Sequence, residues 1–176
     1  MIRTRFAPSP TGFLHIGGLR TALFAYLFAK SQGGDFILRI EDTDKERFVE
    51  GAVENILHAL EWAGIPPSEG VILKKDKVTK KGDHGPYIQS ERLKIYQKYI
   101  EQLLKDGGAY KCYCSRERLQ EIREIQQKNN EPTGYDGHCR ELNEDKDEPH
   151  VIRLKMPKKG TTEFTDLVRG KVQFEN

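Results

Sequence analysis

The chain reads as an α/β fold built on a parallel pair of strands, and three features between Ile2 and Ile40 carry that reading. Ile2-Arg3-Thr4-Arg5-Phe6 alternates as a half-buried strand does. A clamp of turn-formers, Pro8-Ser9-Pro10-Thr11-Gly12, separates it from a stretch in which Leu19, Ala22, Leu23, Tyr26 and Leu27 recur at helical spacing. Asp35-Phe36-Ile37-Leu38-Arg39-Ile40 then reads as a second, largely buried strand. Two strands joined by a helix of this length imply a parallel pair with a right-handed crossover.

The turn before the first helix decides what such a unit can hold. Strand, glycine-bearing turn and helix start together present free N–H groups and the positive end of the helix dipole, which suit an anion. Gly17 and Gly18 carry no Cβ, so a phosphate or a flat base can approach the backbone. The turn is neither a G-x-G-x-x-G fingerprint nor a P-loop. Ligands of such sheets gather at the carboxyl ends of the strands. The first strand runs into Ala7-Pro8-Ser9 and the second delivers Glu41-Asp42-Thr43-Asp44, so both lead to one edge.

Ser31-Gln32-Gly33-Gly34 stops the first helix. Thr43 and Glu46 read as a T-x-x-E capping box for a second helix with Val49, Ala52, Val53, Ile56, Leu57 and Leu60 on its core face, ending near Gly64. Capping would explain Thr43 and would serve equally for Asp44. It does not explain Glu41 or Asp42. Ser68 to Gly85 is polar and lysine-rich and reads as an exposed connection with a mobile tip. Leu93, Tyr96, Ile100, Leu103 and Leu104 mark a third helix, with Tyr96 and Tyr99 as core and rim residues, ended by Gly107-Gly108.

Ala109 to Cys114 is a short strand, and Ser115 caps a charged helix running to about Lys128. Asn129 to Pro149 is loop. Val151 to Met156 alternates as a half-buried strand, and Thr162 to Glu175, broken at Arg169-Gly170, reads as a hairpin.

Composition narrows the function classes. Mean hydropathy is −0.70 and no apolar run approaches bilayer length, so no membrane partner is expected. The N-terminus lacks the pattern of a secretory leader, which points to the cytoplasm. A formal net charge of +2 excludes a bulk polyanion binder, so nucleic acid would have to meet local basic surface. Candidates are Lys74, Lys75, Lys77, Lys80 and Lys81, read first as a solvated loop, and Arg116, Arg118 and Arg123 on a helix. Three cysteines in such a chain suggest reduced thiols, core residues or a metal site rather than disulfides.

RFAPSPTGFLHIGGLRTALF, followed by RIEDTD, GPYIQSERLKIYQKY, GYDGHCR and PHVIRLKMP, resembles the bacterial-type glutamyl-tRNA synthetases of class I, and the likeness covers essentially the whole chain. Gly18 stands where the family's HIGH signature is named for a second histidine. The resemblance implies the leading half of a Rossmann-like parallel nucleotide-binding fold, at 1–88, and an inserted α+β acceptor-stem-binding domain, at 89–176. It implies ATP-dependent activation of L-glutamate, with Mg2+ on the nucleotide, and transfer to the 3′ end of tRNA(Glu), by a protein expected to be a monomer.

Residue by residue, the resemblance puts Arg5, Ala7, Ser9 and Glu41 at the glutamate site. Glutamate offers an ammonium and two carboxylates, and Arg5 supplies a planar fork for one carboxylate while Glu41 suits the ammonium. The bland reading of Arg5 and Glu41 is an ion pair on neighbouring strands. Pro10, Thr11, His15, Gly17 and Gly18 fall at the ATP site, with His15 stabilising charge at the α-phosphorus rather than acting as base or nucleophile. Asp44 falls near the 3′-terminal adenosine of the tRNA.

Cys112-x-Cys114, Tyr135 and Cys139 supply three thiols and a phenol, a plausible start for a closed structural zinc site. They resemble the zinc-binding insert of some family members and of the glutamyl-queuosine synthetase paralogues. The fourth ligand is open between Tyr135, His138, Glu141 and water. No KMSKS-like signature is present, so the chain is expected to be a leading fragment with little aminoacylation activity of its own. The rival readings are the glutamyl-queuosine paralogue and a non-catalytic tRNA-binding module.

Overall fold

The computed structural model describes residues 1–142 and 145–176. It divides into two compact units, Met1–Tyr96 and Gln97–Asn176.

The first unit holds a mixed sheet in the order β1 (Arg3–Phe6), β2 (Asp35–Leu38), β3 (Glu69–Lys74), β4 (Lys77–Lys81). β1 and β2 are parallel with Arg3 opposite Asp35 and Phe6 opposite Leu38, as the sequence implies. α1 (Ile16–Ser31) makes that crossover, and α2 (Ala52–Trp62) leads to β3, which is parallel to β2. Phe6, Phe36, Leu38, Ile40, Ile56, Leu57, Leu60 and Val71 form the core between sheet and helices. Tyr26 meets Phe36 edge to face at 5.7 Å.

The sequence reading needs correction at several elements here. α1 begins at Ile16, and its buried stripe is made of small residues: Ala22 and Ala29 are buried, whereas Leu23 and Leu27 are exposed. Alanines let the helix sit close enough to β1 for the Thr4 hydroxyl to donate to the Ala25 carbonyl at 2.8 Å. The capping box at Thr43 does not form. α2 starts at Ala52 after Gly51 at φ 77°, a left-handed residue that ends any helix running in from Thr43. Val49 is exposed, and its N–H bonds the Pro10 carbonyl instead.

The lysine-rich stretch is ordered: β3 and β4 pair in an antiparallel hairpin, with Lys74 opposite Lys77 and a turn at Lys75 and Asp76, both with positive φ. Hairpin turns with two such residues usually carry Asn-Gly, and their absence here concealed the hairpin. Glu69 at its base is buried and bonded to Tyr87 at 2.6 Å and Arg3 at 2.7 Å. Burial opposes its charge, but these hydrogen bonds hold its carboxyl below the usual range.

A single-turn 3-10 helix, Gln89–Arg92, leads into α3 (Leu93–Lys105). None of the apolar residues of α3 is fully buried; Tyr96, expected in the core, is half-buried beneath the Arg92 guanidinium, and Tyr99 is exposed. In the second unit β5 (Ala109–Cys112) pairs antiparallel with β6 (Val151–Leu154). α4 (Arg116–Lys128) begins at Ser115, whose hydroxyl accepts from the Arg118 N–H at 3.2 Å, as expected. A 3-10 turn, His138–Glu141, occupies part of the expected loop, of which residues 143–144 lie outside the described residues. β7 (Thr161–Asp166) and β8 (Gly170–Glu175) form the expected hairpin. No described helix is long and apolar enough to cross a membrane.

Candidate functional site

The segment after β1 is held by backbone bonds from the segment after β2 and from Val49. Arg39 N–H donates to Phe6 O at 3.1 Å, Glu41 N–H to Pro8 O at 2.9 Å and Val49 N–H to Pro10 O at 2.9 Å. Asn55 of α2 accepts from the Leu14 N–H at 2.9 Å. Pro10 is fully buried beneath this lattice. The turn is thereby fixed before any ligand arrives.

A cavity of about 370 Å³ opens above it, lined by Pro8, Ser9, Thr11, His15 and Gly18 among others. His15 is the N-cap of α1, and its Nδ1 accepts from the Gly17 N–H at 3.1 Å. A neutral imidazole whose Nδ1 accepts carries its proton on Nε2, which leaves one N–H available to an oxyanion. Gly17 belongs to the same device: a Cβ there would lie 2.9 Å from His15 Cε1 and push the ring out of place. A Cβ on Gly18 would meet Leu14 Cδ1 at 2.7 Å. The helix start is short of acidic side chains, so its positive end is not neutralised from within its first turn.

Arg5 and Glu41 meet at the neighbouring strand ends, with Arg5 Nη1 donating to Glu41 Oε1 at 2.6 Å. They do not line the cavity, and neither do Ala7 and Asp44, although Glu41 and the cavity-lining Pro8 are joined by a backbone hydrogen bond. The sequence left Arg5 and Glu41 open between ligand site and ion pair; here they are an ion pair, and a second arginine that the sequence reading missed, Arg39, reaches the same Oε1 at 3.2 Å.

Asp42, which capping did not explain, has a structural partner. It accepts from both the backbone and the hydroxyl of Ser90, at 2.9 and 2.6 Å, and so ties the acidic loop to the start of the 3-10 helix. Burial works against its charge, but the Ser90 bonds hold its carboxyl below the usual range. Asp44 caps a local turn rather than a helix, accepting from Arg47 N at 3.2 Å and Arg47 Nε at 2.7 Å.

In the second unit Cys112, Cys114 and Cys139 come together, their sulfurs all within 4.8 Å of one another. β5 delivers the first, and the 3-10 turn after Gly137 delivers the third. Cys114 and Cys139 sulfurs are 3.5 Å apart, and the Tyr135 hydroxyl lies 3.2 Å from Cys112 and 3.5 Å from Cys114. Four donors on a tetrahedral zinc with bonds of about 2.3 Å stand roughly 3.8 Å apart, so three thiolates and this phenol fit a closed site. His138 and Glu141 do not join the cluster, and Glu141 is paired with Lys155 at 3.1 Å.

Burial opposes the Cys112 thiolate, yet hydrogen bonds from Tyr135 and Arg153 bring it down to about 6. Burial and the adjoining thiols push Cys114 up. The Arg153 guanidinium stacks on the Tyr135 ring at 3.8 Å and holds the phenol in place. Of the three helix arginines, Arg118 is committed to Asp136 at 2.6 Å, while Arg116 and Arg123 line an open groove along α4.

Comparison with known proteins shows the family and the fold. The family model described as tRNA synthetases class I (E and Q), catalytic domain, matches residues 1–176. A glutamate–tRNA ligase of Clostridioides difficile is 58% identical over 98% of this chain and 37% of its own length. One from Alkaliphilus metalliredigens is 54% identical over 97% of this chain and 36% of its own. A crystal structure of a glutamate tRNA ligase from Elizabethkingia meningosepticum, in complex with its amino acid, superposes with a TM-score of 0.83 at 43% identity, over 99% of this chain and 36% of that one. The chain thus spans little more than a third of the length of the proteins it matches.

Proposed function

The chain belongs to the class I tRNA synthetases for glutamate and glutamine (E and Q), within their catalytic domain, and from that membership we propose that it supplies the nucleotide and amino-acid edge of a glutamate–tRNA ligase. The observation that carries the reading is the His15 cap. His15, Thr11 and Gly18 line one cavity at the start of α1, and Pro8 of the same lining accepts a backbone hydrogen bond from Glu41.

The chemistry asked of these residues is positioning and charge stabilisation. ATP, with its Mg2+, would lie over Gly17 and Gly18, with the α-phosphate against the His15 Nε2 proton. Arg5 would turn from Glu41 to a substrate carboxylate, Glu41 would take the ammonium, and Ala7 and Ser9 would border the amino acid. The glutamate carboxylate then attacks the α-phosphorus in line, pyrophosphate leaves, and negative charge building on the phosphoryl oxygens falls on the imidazole N–H and the helix end. No protein nucleophile is required. Asp44, held by Arg47, would face the 3′-terminal adenosine of tRNA(Glu). The second unit would meet the acceptor stem, with Arg116 and Arg123 offering cations from the groove along α4. A monomer working in the cytoplasm completes the reading.

Glutamate-dependent exchange of pyrophosphate into ATP, measured on the native polypeptide carrying this chain in the presence of tRNA, tests it. Exchange with glutamate and not aspartate supports the proposal. A folded protein that binds the tRNA yet gives no exchange would leave only the tRNA-binding module. Transfer to an unmodified acceptor end separates the ligase from the glutamyl-queuosine paralogue.

Cys112, Cys114, Cys139 and Tyr135 would hold a structural zinc, which would cross-link β5 to the 3-10 turn. The purified protein is expected to carry about one equivalent of zinc, and Cys139→Ser to lose it together with the proteolytic protection of residues 113–142. Full zinc content in that variant, by metal analysis, would contradict the assignment.

A further inference from the structure

Two guanidinium groups converge on one carboxylate at the proposed amino-acid site. Arg5 Nη1 and Arg39 Nη2 both donate to Glu41 Oε1, at 2.6 and 3.2 Å. The trio therefore carries one surplus positive charge. The two arginines are not equivalent. The Arg5 side chain is 43% exposed on the strand, free to turn, whereas that of Arg39 is 23% exposed. Arg39 is also anchored through its backbone to Phe6 O, at the point where β1 and β2 end. Its Nε is buried and has no hydrogen-bond partner among the described residues, so this guanidinium is held by packing as well as by Glu41.

A substrate carboxylate that takes the Arg5 Nη1 donor draws it away from Glu41 Oε1. Glu41 then loses its shorter bond. We propose that Arg39 is the positioning and specificity residue that keeps Glu41 aimed at the substrate ammonium during that exchange, and that its charge makes the site prefer an acidic amino acid to the neutral amide. The charge count supports this. With Arg39 the protein groups sum to plus one, which matches glutamate at minus one. Without it they sum to zero, which matches glutamine. The inference rests on the reading of Arg5 and Glu41 as the substrate site.

The test is steady-state pyrophosphate exchange by the native polypeptide carrying this chain, with glutamate and glutamine as competing substrates. Arg39→Gln is expected to raise the glutamate KM roughly tenfold, discounted for partial exposure, with kcat within threefold and the ATP KM unchanged. Preference for glutamate over glutamine should fall by a similar factor, and Arg39→Lys, which keeps the charge, should recover most of it. A purely structural role would instead lower kcat and disturb the ATP KM. Should the Gln variant not fold, Arg39→Met, which keeps the apolar stem, is read by the same criteria. A glutamate KM within twofold of the parent, or unchanged discrimination against glutamine, would overturn the proposal. Arg5→Gln, run alongside, separates the two failures. If it leaves the glutamate KM unchanged, the substrate-site reading itself falls; if it raises the KM while Arg39→Gln does not, only the role of Arg39 falls.

Discussion

His15→Asn is expected to lower the rate of adenylate formation by about 10²–10³-fold, the usual cost of removing one preorganised donor to a developing oxyanion. Asparagine is chosen because it separates the two duties of this side chain. In the folded protein His15 Nδ1 caps α1 by accepting from Gly17 N–H at 3.1 Å. Asparagine is among the best N-cap residues and can accept the same bond, so the helix start should survive. It is too short to place a donor where Nε2 stands. Helix content and melting temperature should therefore change little while kcat falls and the glutamate KM holds. His15→Ala removes both duties and should add about 1 kcal/mol of destabilisation to the same kinetic loss. Equal rates for the parent and His15→Asn under pre-steady-state conditions would show that the imidazole touches nothing that reacts.

The second large effect is on stability. Gly70→Ala is expected to destabilise the first unit by roughly 3–5 kcal/mol, in the range reserved for a backbone clash. Gly70 adopts φ +112°, and a Cβ there would stand 2.1 Å from the carbonyl oxygen and 2.8 Å from the nitrogen of Leu38. Both are backbone atoms of the neighbouring parallel strand, so no rotamer change relieves the overlap. The strand must move, and it is the strand whose next residues, Arg39 to Glu41, carry the proposed amino-acid site. Thermal unfolding should drop by on the order of 10 °C. Gly12→Ala is the control, since nothing lies within 4 Å of its Cβ position; it should stay within about 0.5 kcal/mol. A Gly70→Ala protein that melts with the parent would mean that β3 does not lie against β2 in this register.

The parallel β1–β2 pair was legible because two apolar strands flank one helical period, and a crossover of that length has a single favoured geometry. The thiol cluster was legible too, since Cys112-x-Cys114 and Cys139 are chemistry-bearing residues at short spacing. Choosing Tyr135 over His138 or Glu141 as the nearby fourth group needed coordinates, because all three lie close to Cys139 in sequence and the 3-10 turn decides which one faces the sulfurs.

What escaped the sequence has physical reasons. The Lys75-Asp76 turn adopts positive φ without a glycine, so the β3–β4 hairpin looked like a loop. The Thr43 capping box was a local pattern that lost to Gly51 and to the bond between Val49 and Pro10. Asp42 had no explanation from the sequence because its partner, Ser90, is distant along the chain. Arg39 looked like one polar position in a buried strand. Its meaning lies in sharing a carboxylate oxygen with Arg5, a residue of another strand, and no periodicity reports that.

The most direct measurement is a crystal structure of the native polypeptide carrying this chain with a non-hydrolysable glutamyl-adenylate analogue. The expected result has the phosphoryl mimic on His15 Nε2, the substrate side-chain carboxylate on the Arg5 fork, and Glu41 on the ammonium with Arg39 still bound to its Oε1. An analogue seated away from the His15 cavity, with Arg5 still paired to Glu41, would contradict the account.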